Sequence, residues 1–171
     1  MDGVKIRDFE LNDVMQVQSI YAFHVLNGLG TFEEVVPSAN EMSNRIKEIL
    51  SAGYPVLVAE HNGEILGYCY VNLFRVRSAY RYTVEDSIYI NPKHQGKNLG
   101  SLLLNELIEK CKFKQFKQIL AFIGDSKNVG SINLHKKFGF TQVGIMKDVG
   151  YKFEKWVDVV IMQLNLVSST P

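Results

Sequence analysis

Apolar residues recur along the chain with two different periods, which predict alternating strands and helices. Apolar positions three or four apart are typical of helices that bury one face, and short runs rich in β-branched and aromatic residues are typical of strands. The predicted order is β-α-α-β-β-β-α-β-α-β-β. The strands are Val4–Arg7, Val56–Glu60, Ile65–Leu73, Val84–Ile90, Ile119–Ile123, Thr141–Met146 and Trp156–Leu164; the helices extend from a cap at Asn12 or Asp13 to Asn27, from Ser38 to Ala52, from Leu99 to Cys111 and from Asn128 to Phe138.

Local signals support several of these elements. Ser38 and Glu41 have capping-box spacing, in which each side chain bonds the other residue's backbone N–H. The pair Asn62-Gly63 between two apolar runs predicts a hairpin. The element order predicts an α/β sheet that is antiparallel at first and has a parallel crossover through the helix from Leu99. That helix is expected to bury one face, formed by Leu99, Leu102, Leu103, Leu107, Ile108 and Cys111.

Composition and charge narrow the classes of function. The 171 residues are 46% hydrophobic and 22% charged, which is ordinary for one globular domain. A net charge of +1 gives no basic surplus for nucleic acid or an anionic membrane. No signal-peptide pattern or bilayer-spanning run is found, and Cys69 and Cys111 show no metal spacing. We therefore expect a cytoplasmic protein with one domain over residues 1–166, a disordered tail over 167–171, and no metal, nucleic-acid or membrane partner.

The segment that follows the strand Val84–Ile90 is suited to binding an anion. Gln95-Gly-Lys-Asn-Leu-Gly100 contains two glycines and Asn98, a residue that tolerates the left-handed conformation. A helix that begins in such a loop presents free N–H groups and its positive dipole end, which suit a pyrophosphate. The turn alone is weak evidence for a binding site, because a plain tight connection has the same pattern. It lacks the Gly-Lys-Ser/Thr ending of an NTPase loop and the G-x-G-x-x-G dinucleotide pattern.

Other motifs in the chain narrow the interpretation of this turn. Asn128 through Phe140 is similar to the motif Asn-x-x-Ser/Ala-x-x-x-Tyr-x-x-x-Gly-Phe of the GNAT superfamily of acyl-CoA-dependent N-acetyltransferases, with His135 where tyrosine is usual. Gln95-x-x-Asn98-x-Gly100 resembles the superfamily's pyrophosphate signature Gln/Arg-x-x-Gly-x-Gly/Ala, with Asn98 in place of the first glycine. From Val4 to Leu166 the chain also resembles the phosphinothricin acetyltransferase-like branch, through Thr31-Phe-Glu33, Arg77-x-Ala-Tyr80, Thr83-Val-Glu85, His94-Gln95, Leu134-His135 and Gly150-Tyr-Lys…Trp156-x-Asp158.

The resemblance implies a fold and a co-substrate. The implied fold is the GNAT fold, a central mixed and mostly antiparallel sheet with about four flanking helices. The implied co-substrate is acetyl-CoA, bound by the backbone of a splayed strand end, by the glycine-rich turn and by the start of the next helix. The corresponding residues are Ile88, Tyr89, Ile90, Gln95, Gly96, Lys97, Asn98, Leu99, Gly100, Asn128 and Ser131.

Two side chains are predicted to act in catalysis, Glu85 and His135. Glu85 is the predicted general base, since freeing an α-amine of pKa ~8 at neutral pH costs only about 1.4 kcal/mol, against about 4.6 kcal/mol for a lysine. Asp86 is a rival base, although it points to the opposite strand face unless a bulge intervenes. A thiol pKa near ~8.5 permits His135, near ~6.5, to protonate the departing thiolate. The alternative is that His135 is a structural hydrogen-bonding residue.

The acceptor is expected to be a small amine with a carboxylate or phosphinate group. In the resembling branch, the segment that here contains Arg75, Arg77 and Tyr82 lines the acceptor cleft, and Phe32 and Glu33 would face the same cleft. A guanidinium suits bidentate capture of a carboxylate, although exposed loop arginines are the simpler alternative. Phosphinothricin, methionine sulfoximine and methionine sulfone are the acceptors that the resemblance implies, and it also implies a homodimer. A peptide or protein N-terminus as acceptor and a non-catalytic acyl-CoA-binding sensor stay open.

Overall fold

Four helices and seven strands form the part of the chain that the structure describes, residues 3–167 of a computed structural model. The strands are β1 (Lys5–Asp8), β2 (Val56–His61), β3 (Glu64–Leu73), β4 (Thr83–Ile90), β5 (Gln118–Gly124), β6 (Thr141–Lys152) and β7 (Lys155–Asn165); the helices are α1 (Val14–Asn27), α2 (Ala39–Ser51), α3 (Leu99–Phe113) and α4 (Val129–Lys137). Every predicted strand and helix is confirmed, and β6 is longer than predicted. Of the predicted disordered tail over residues 167–171, residues 168–171 lie outside the described residues, and the Val167 N–H donates a hydrogen bond to Asn165 Oδ1.

The strands form one sheet in the order β1-β2-β3-β4-β5-β7-β6. Neighbouring strands are antiparallel except β4 and β5, which pair in parallel. A parallel pair needs a crossover connection, and α3 provides it. This mixed, mostly antiparallel sheet with its flanking helices confirms the predicted fold class. No helix within residues 3–167 is long and apolar enough to cross a membrane.

The sheet separates two apolar cores. One core lies between the sheet and the helices α1 and α2, and the other lies between the sheet and α3. Alternate residues of β2 belong to different cores: Val56 and Val58 pack with α1 and α2, whereas Leu57 and Ala59 pack with α3. This alternation follows from the two-residue period of strand side chains. Cys69 is fully buried in the α3 core, as its strand pattern predicts.

The buried face of α3 differs from the prediction at one position. Leu102 is 40% exposed, and Leu104 is fully buried in its place. The buried stripe is centred on Leu107, and Leu102 lies about 140° around the helix from that centre. The prediction for Leu102 is therefore wrong, because spacing alone did not fix where the stripe is centred.

The caps of the first two helices also differ in detail from the prediction. Asp13 lies at the N-cap position of α1, but its carboxylate accepts hydrogen bonds from the Glu10 N–H and the Arg7 guanidinium instead of capping the helix. At α2, Ser38 Oγ accepts a hydrogen bond from the Glu41 N–H, as predicted. The Glu41 carboxylate pairs with an arginine one helical turn later, so only half of the capping box forms.

Candidate functional site

A wedge opens between the parallel strands β4 and β5. Their pairing begins at Thr83–Gln118 and ends at Asp86–Ala121, although β4 continues to Ile90. Beyond Asp86, β4 therefore pairs with β3 alone, and on its other edge the Ile90 carbonyl oxygen lies 2.9 Å from His24 Nε2. The open edge faces a cavity of about 590 Å³, here called the wedge cavity. A strand edge with free backbone donors and acceptors can bind an extended chain that contains amide groups.

The turn between β4 and α3 forms one end of the wedge cavity. Within residues 3–167, no protein acceptor receives a hydrogen bond from the backbone N–H groups of residues 95–100. Gly96 and Asn98 both have positive φ, 74° and 63°, and Asn98 adopts the left-handed conformation that the sequence predicts for it. A Cβ on Gly100 would lie 3.0 Å from Leu134 Cδ2, so this glycine permits α3 to lie close to α4. These free N–H groups at the start of α3 form a cradle for an anion.

Helix α4 contributes polar side chains to the opposite wall. The Oδ1 atom of Asn128 accepts a hydrogen bond from the Ser131 N–H at 3.2 Å and so caps the helix. Its amide Nδ2 is left for another partner. Asn128, Ser131 and His135 all line the wedge cavity, one turn apart along the helix.

All the predicted cofactor-binding residues except Lys97 line the wedge cavity. The Lys97 ammonium points to the His94 ring instead, with Nζ 3.3 Å from Nδ1. Sequence reasoning missed the segment that follows α1, from which Gly28, Leu29 and Gly30 line the same cavity. The closely spaced glycines of that segment were the only signal that could have identified it.

His135 is held at the wall of the wedge cavity by Asp86. Its Nδ1 lies 2.7 Å from the Ser131 carbonyl oxygen, and its Nε2 lies 3.1 Å from Asp86 Oδ2. Since a carbonyl only accepts, Nδ1 carries a hydrogen. Burial alone would lower the pKa of His135, but the hydrogen bond and charge of Asp86 outweigh it and raise this pKa. Asp86 thus favours the protonated form of the His135 ring, and within the described chain Asp86 Oδ1 has no hydrogen-bond partner.

Glu85 lies on the other face of the same strand. No register shift interrupts the pairing of β4 with β3, so Glu85 and Asp86 point in opposite directions. Burial, followed by the negative charge of Asp86, raises the pKa of Glu85 above its usual value. Glu85 opens onto a second cavity of about 350 Å³, here called the side cavity, which is lined by Gly30, Phe32, Glu85, Phe122, Gly124, Met146, Val149 and Val159.

The wedge and side cavities meet at one place. Gly30, Phe122 and Gly124 line both of them. A group at the end of an extended ligand in the wedge cavity can therefore meet a second molecule that enters through the side cavity. Since Glu85 lies on the side-cavity wall, a carboxylate is available to that second molecule. The arrangement fits a transfer reaction between two substrates.

The predicted acceptor residues occupy three different settings. Phe32 lines the side cavity, as an acceptor residue should. Glu33 lines neither cavity, because Tyr21 donates a hydrogen bond to its Oε1 at 2.9 Å and Arg45 forms an ion pair with the same atom. Its carboxylate thus anchors the loop after α1.

The arginine segment between β3 and β4 is exposed, and Arg75, Arg77 and Tyr82 line neither cavity. Arg75 nevertheless lies close to the junction of the cavities. Its guanidinium carbon is 5.0 Å from the centre of the Phe74 ring, which stacks on Phe122 at 6.0 Å. The role of these residues in acceptor binding stays a prediction.

Comparison with known proteins agrees with this geometry. A family model described as "Acetyltransferase (GNAT) domain" matches residues 6–161. Phosphinothricin N-acetyltransferase of Alcaligenes faecalis is 47% identical over 155 residues, which cover 91% of this chain and 79% of that protein. L-methionine sulfoximine/L-methionine sulfone acetyltransferase of Salmonella typhimurium is 37% identical over 163 residues, 94% of each chain.

A solved structure gives the same result for the fold. The crystal structure of a GNAT superfamily phosphinothricin acetyltransferase from Sinorhizobium meliloti in complex with AcCoA superposes with a TM-score of 0.93 at 41% identity. The superposition covers 98% of this chain and 90% of that one. The chain therefore belongs to the GNAT family and is an acetyltransferase.

Proposed function

We propose that the protein transfers the acetyl group of acetyl-CoA to the α-amine of a small amino-acid-like acceptor of the phosphinothricin, methionine sulfoximine or methionine sulfone type. The observation that supports this most is that the two cavities meet. The wedge cavity contains the anion cradle, and the side cavity contains the Glu85 carboxylate. The acceptor class follows the names of the relatives described above. The amine attacks directly while both substrates are bound.

The wedge cavity fits acetyl-CoA by its chemistry. The free N–H groups of residues 95–100 suit a pyrophosphate. The edge of β4 beyond Asp86 pairs with no strand, although His24 contacts the Ile90 carbonyl, and this edge suits the amides of a pantetheine arm. The amide of Asn128 faces the same ligand from α4. Acetyl-CoA supplies an activated acetyl group as a thioester, and backbone N–H groups of the open strand edge polarise its carbonyl.

Glu85 removes the proton from the attacking amine. Its raised pKa makes it a stronger base than an exposed glutamate. Deprotonation of an α-amine costs little free energy at neutral pH, because the pKa of the amine is ~8. Deprotonation of a lysine acceptor, with a pKa of ~10.4, would cost more. The position of Glu85 on the side-cavity wall supports this assignment.

The Asp86–His135 pair supplies the proton for the departing thiolate. The raised pKa of His135 favours a proton on its ring within the wall of the wedge cavity, where the thiolate would form. Both ring nitrogens form hydrogen bonds, Nδ1 to the Ser131 carbonyl and Nε2 to Asp86. In this proposal the hydrogen bond between Nε2 and Asp86 breaks as Nε2 donates its proton to the thiolate. A purely structural histidine is the competing assignment, and the pH dependence described in the Discussion separates the two.

Neither cysteine suits a covalent acetyl-enzyme. Cys69 and Cys111 are fully buried in the α3 core. Burial raises the pKa of both thiols, which disfavours the nucleophilic thiolate. Direct attack of the amine needs neither of them.

We also infer a homodimer. The strands β6 and β7 at one edge of the sheet expose a group of large apolar side chains, which a second copy would cover. These are Val143, Ile145, Met146, Val149, Tyr151 and Trp156. Because Met146 and Val149 also line the side cavity, a second copy there would help to enclose the acceptor. Sedimentation of the protein as a monomer at micromolar concentration would contradict this inference.

The test of the proposed function is release of free thiol from acetyl-CoA with a panel of amines. The panel contains free amino acids, their sulfoximine, sulfone and phosphinate analogues, polyamines and short peptides. We expect turnover with the amino-acid analogues and a weaker response to peptides, and we expect Arg75→Ala and Arg77→Ala to raise the KM of acceptors with an anionic group only.

Two results would contradict the proposal. Turnover with peptides but not with single amino acids, unaffected by Arg75→Ala and Arg77→Ala, would indicate an N-terminal acetyltransferase. Tight acetyl-CoA binding without transfer to any amine in the panel would indicate a non-catalytic sensor.

A further inference from the structure

One buried charged residue has no role in the function described so far. Lys152 lies at the end of β6, within the motif Gly150-Tyr-Lys, and is only 1% exposed. Its ammonium donates hydrogen bonds to two backbone carbonyls, Gly28 O at 2.9 Å and Thr31 O at 2.8 Å. Both carbonyls belong to the segment 28–32 that follows α1, here called the α1 loop.

The α1 loop forms part of the wall of both cavities. Gly28 and Leu29 line the wedge cavity, Phe32 lines the side cavity, and Gly30 lines both. Any displacement of this loop therefore changes the place where the two substrates meet. Lys152 itself lines neither cavity, so it acts on the site only through the loop.

Two glycines allow the α1 loop to pack closely against β5 and β6. A Cβ on Gly124 of β5 would overlap the carbonyl oxygen of Leu29, and a Cβ on Gly150 of β6 would overlap the ring of Phe32. The Thr31 hydroxyl lies 2.9 Å from the Tyr21 hydroxyl of α1. The loop is thus in close contact with β5, β6 and α1, and Lys152 provides the only charged contact among these.

The cost of burying a charge indicates that Lys152 does not serve mainly to stabilise the fold. Burial lowers the pKa of its ammonium, with Glu34 and Glu33 opposing that effect. Moving an ammonium out of water is costly, and an apolar side chain of similar volume is often as stabilising as a buried charge or more so. A buried lysine that donates only to two loop carbonyls is better explained by what it positions.

We propose that Lys152 is a positioning residue that sets the α1 loop at the junction of the two cavities and so aligns the acceptor amine with the acetyl group. This inference rests on the proposed function, because it assumes that transfer occurs at that junction. It assigns a task to the Gly150-Tyr-Lys motif: Gly150 makes room for Phe32, and Lys152 holds the backbone on either side of Gly30.

The test compares Lys152→Met with Lys155→Met. The first variant keeps the aliphatic stem and removes the donors; the second removes an exposed lysine of the same hairpin. We expect Lys152→Met to lower kcat/KM for the acceptor by about a hundredfold, because misplacement by about 1 Å costs that much. The Kd of acetyl-CoA should change much less, since Lys152 donates its hydrogen bonds to the α1 loop and not to the anion cradle of residues 95–100. Lys155→Met should match the wild type.

Hydrogen–deuterium exchange of the peptide that contains residues 28–33 gives a readout that does not depend on activity. We expect Lys152→Met to raise exchange in this peptide and not in the α3 core. If the wild type transfers acetyl to no amine, the proposed function fails, and this measurement still decides whether Lys152 holds the loop.

A second variant covers the case in which Lys152→Met does not fold. Gly150→Ala pushes Phe32 from the other side and leaves the bonds of Lys152 in place, so it should raise the acceptor KM with little change in acetyl-CoA binding. Unchanged acceptor kinetics together with unchanged exchange would overturn the proposal. Equal losses of acceptor and acetyl-CoA binding, with exchange raised throughout the protein, would overturn it too, since they would show a general structural role.

Discussion

The Nε2 atom of His135 lies 3.1 Å from Oδ2 of Asp86, although 49 residues separate the two along the chain. This contact joins α4 to β4 at the wall of the wedge cavity. Because the raised pKa of His135 favours the imidazolium in the folded state, the pair makes stability depend on pH.

The pH dependence of stability has a definite sign. The favourable contribution of the pair is fully present below the unfolded histidine pKa of about 6.5, and it is lost as pH rises through the raised folded pKa. Asp86→Asn should therefore cost about 1–3 kcal/mol of unfolding free energy at mildly acidic pH and much less at alkaline pH. Urea unfolding at a series of pH values measures this.

Glu64, whose side chain is 52% exposed and lies 3.0 Å from His94, provides a control. Because a contact to an exposed carboxylate contributes little, Glu64→Gln should leave the unfolding free energy nearly unchanged at every pH. A constant difference between wild type and Asp86→Asn from acidic to alkaline pH would mean that the pair does not hold an additional proton.

Replacement of Glu85 should change the pH–rate profile. The base must be ionised, so kcat/KM should rise with pH through the raised pKa of Glu85, which lies above the usual 4.5. In Glu85→Gln this acidic limb should disappear, and the rate should fall by about 10²–10⁴-fold at neutral pH. Thiol release over a range of pH checks both effects, and Glu109→Gln, an exposed acid on α3, is the control. Full activity of Glu85→Gln at all pH values would rule out Glu85 as the base.

The left-handed conformation of Asn98 gives a prediction about acetyl-CoA binding. Asn98→Gly keeps φ near 63° without strain and should bind acetyl-CoA at least as tightly as the wild type. Asn98→Ala should lose about 1–2 kcal/mol of stability or relax the turn, because alanine disfavours this conformation. Relaxation would weaken acetyl-CoA binding, which calorimetry measures.

A glutamine elsewhere in the chain provides the control for this backbone effect. Gln115 has the same φ of 63° but lies after α3, away from both cavities. Gln115→Gly should relieve backbone strain without affecting acetyl-CoA. Equal acetyl-CoA affinity in wild type, Asn98→Gly and Asn98→Ala would show that the turn geometry at Asn98 does not matter for the ligand.

The contact between β5 and the α1 loop can be tested with a single methyl group. In Gly124→Ala, the new Cβ would overlap the Leu29 carbonyl oxygen, so backbone must move at the junction of the cavities. We expect kcat/KM to fall by about a hundredfold. Gly144→Ala on β6, where a Cβ would meet nothing within 4 Å, should have wild-type kinetics. Similar kinetics for the two variants would show that the junction tolerates movement.

Local sequence patterns were sufficient for the elements, and the GNAT resemblance identified two of the segments that line the wedge cavity. The turn at Gln95–Gly100 and the helix start at Asn128 are continuous segments whose glycine, asparagine and apolar spacing specify their conformation directly. Leu102 shows the limit of such patterns, because the centre of a buried stripe depends on what packs against the helix.

Contacts between distant segments could not be predicted from the sequence. The bond from Lys152 to Gly28 joins residues 124 positions apart, and no local pattern indicates that these two residues are partners. Glu33 was expected at the acceptor cleft, but Tyr21 and Arg45 engage its carboxylate. Both outcomes depend on how the loop after α1 folds back over the sheet.

The opposite directions of Glu85 and Asp86 on β4 have a consequence for the catalytic cycle. In the proposed reaction, one proton is taken up by Glu85 in the side cavity and another is given up by the Asp86–His135 pair in the wedge cavity. The two protons therefore change hands in different cavities, which meet at Gly30, Phe122 and Gly124. We expect each group to restore its own proton balance by exchange with water, and a turnover limited by this exchange would show a solvent isotope effect on kcat in heavy water.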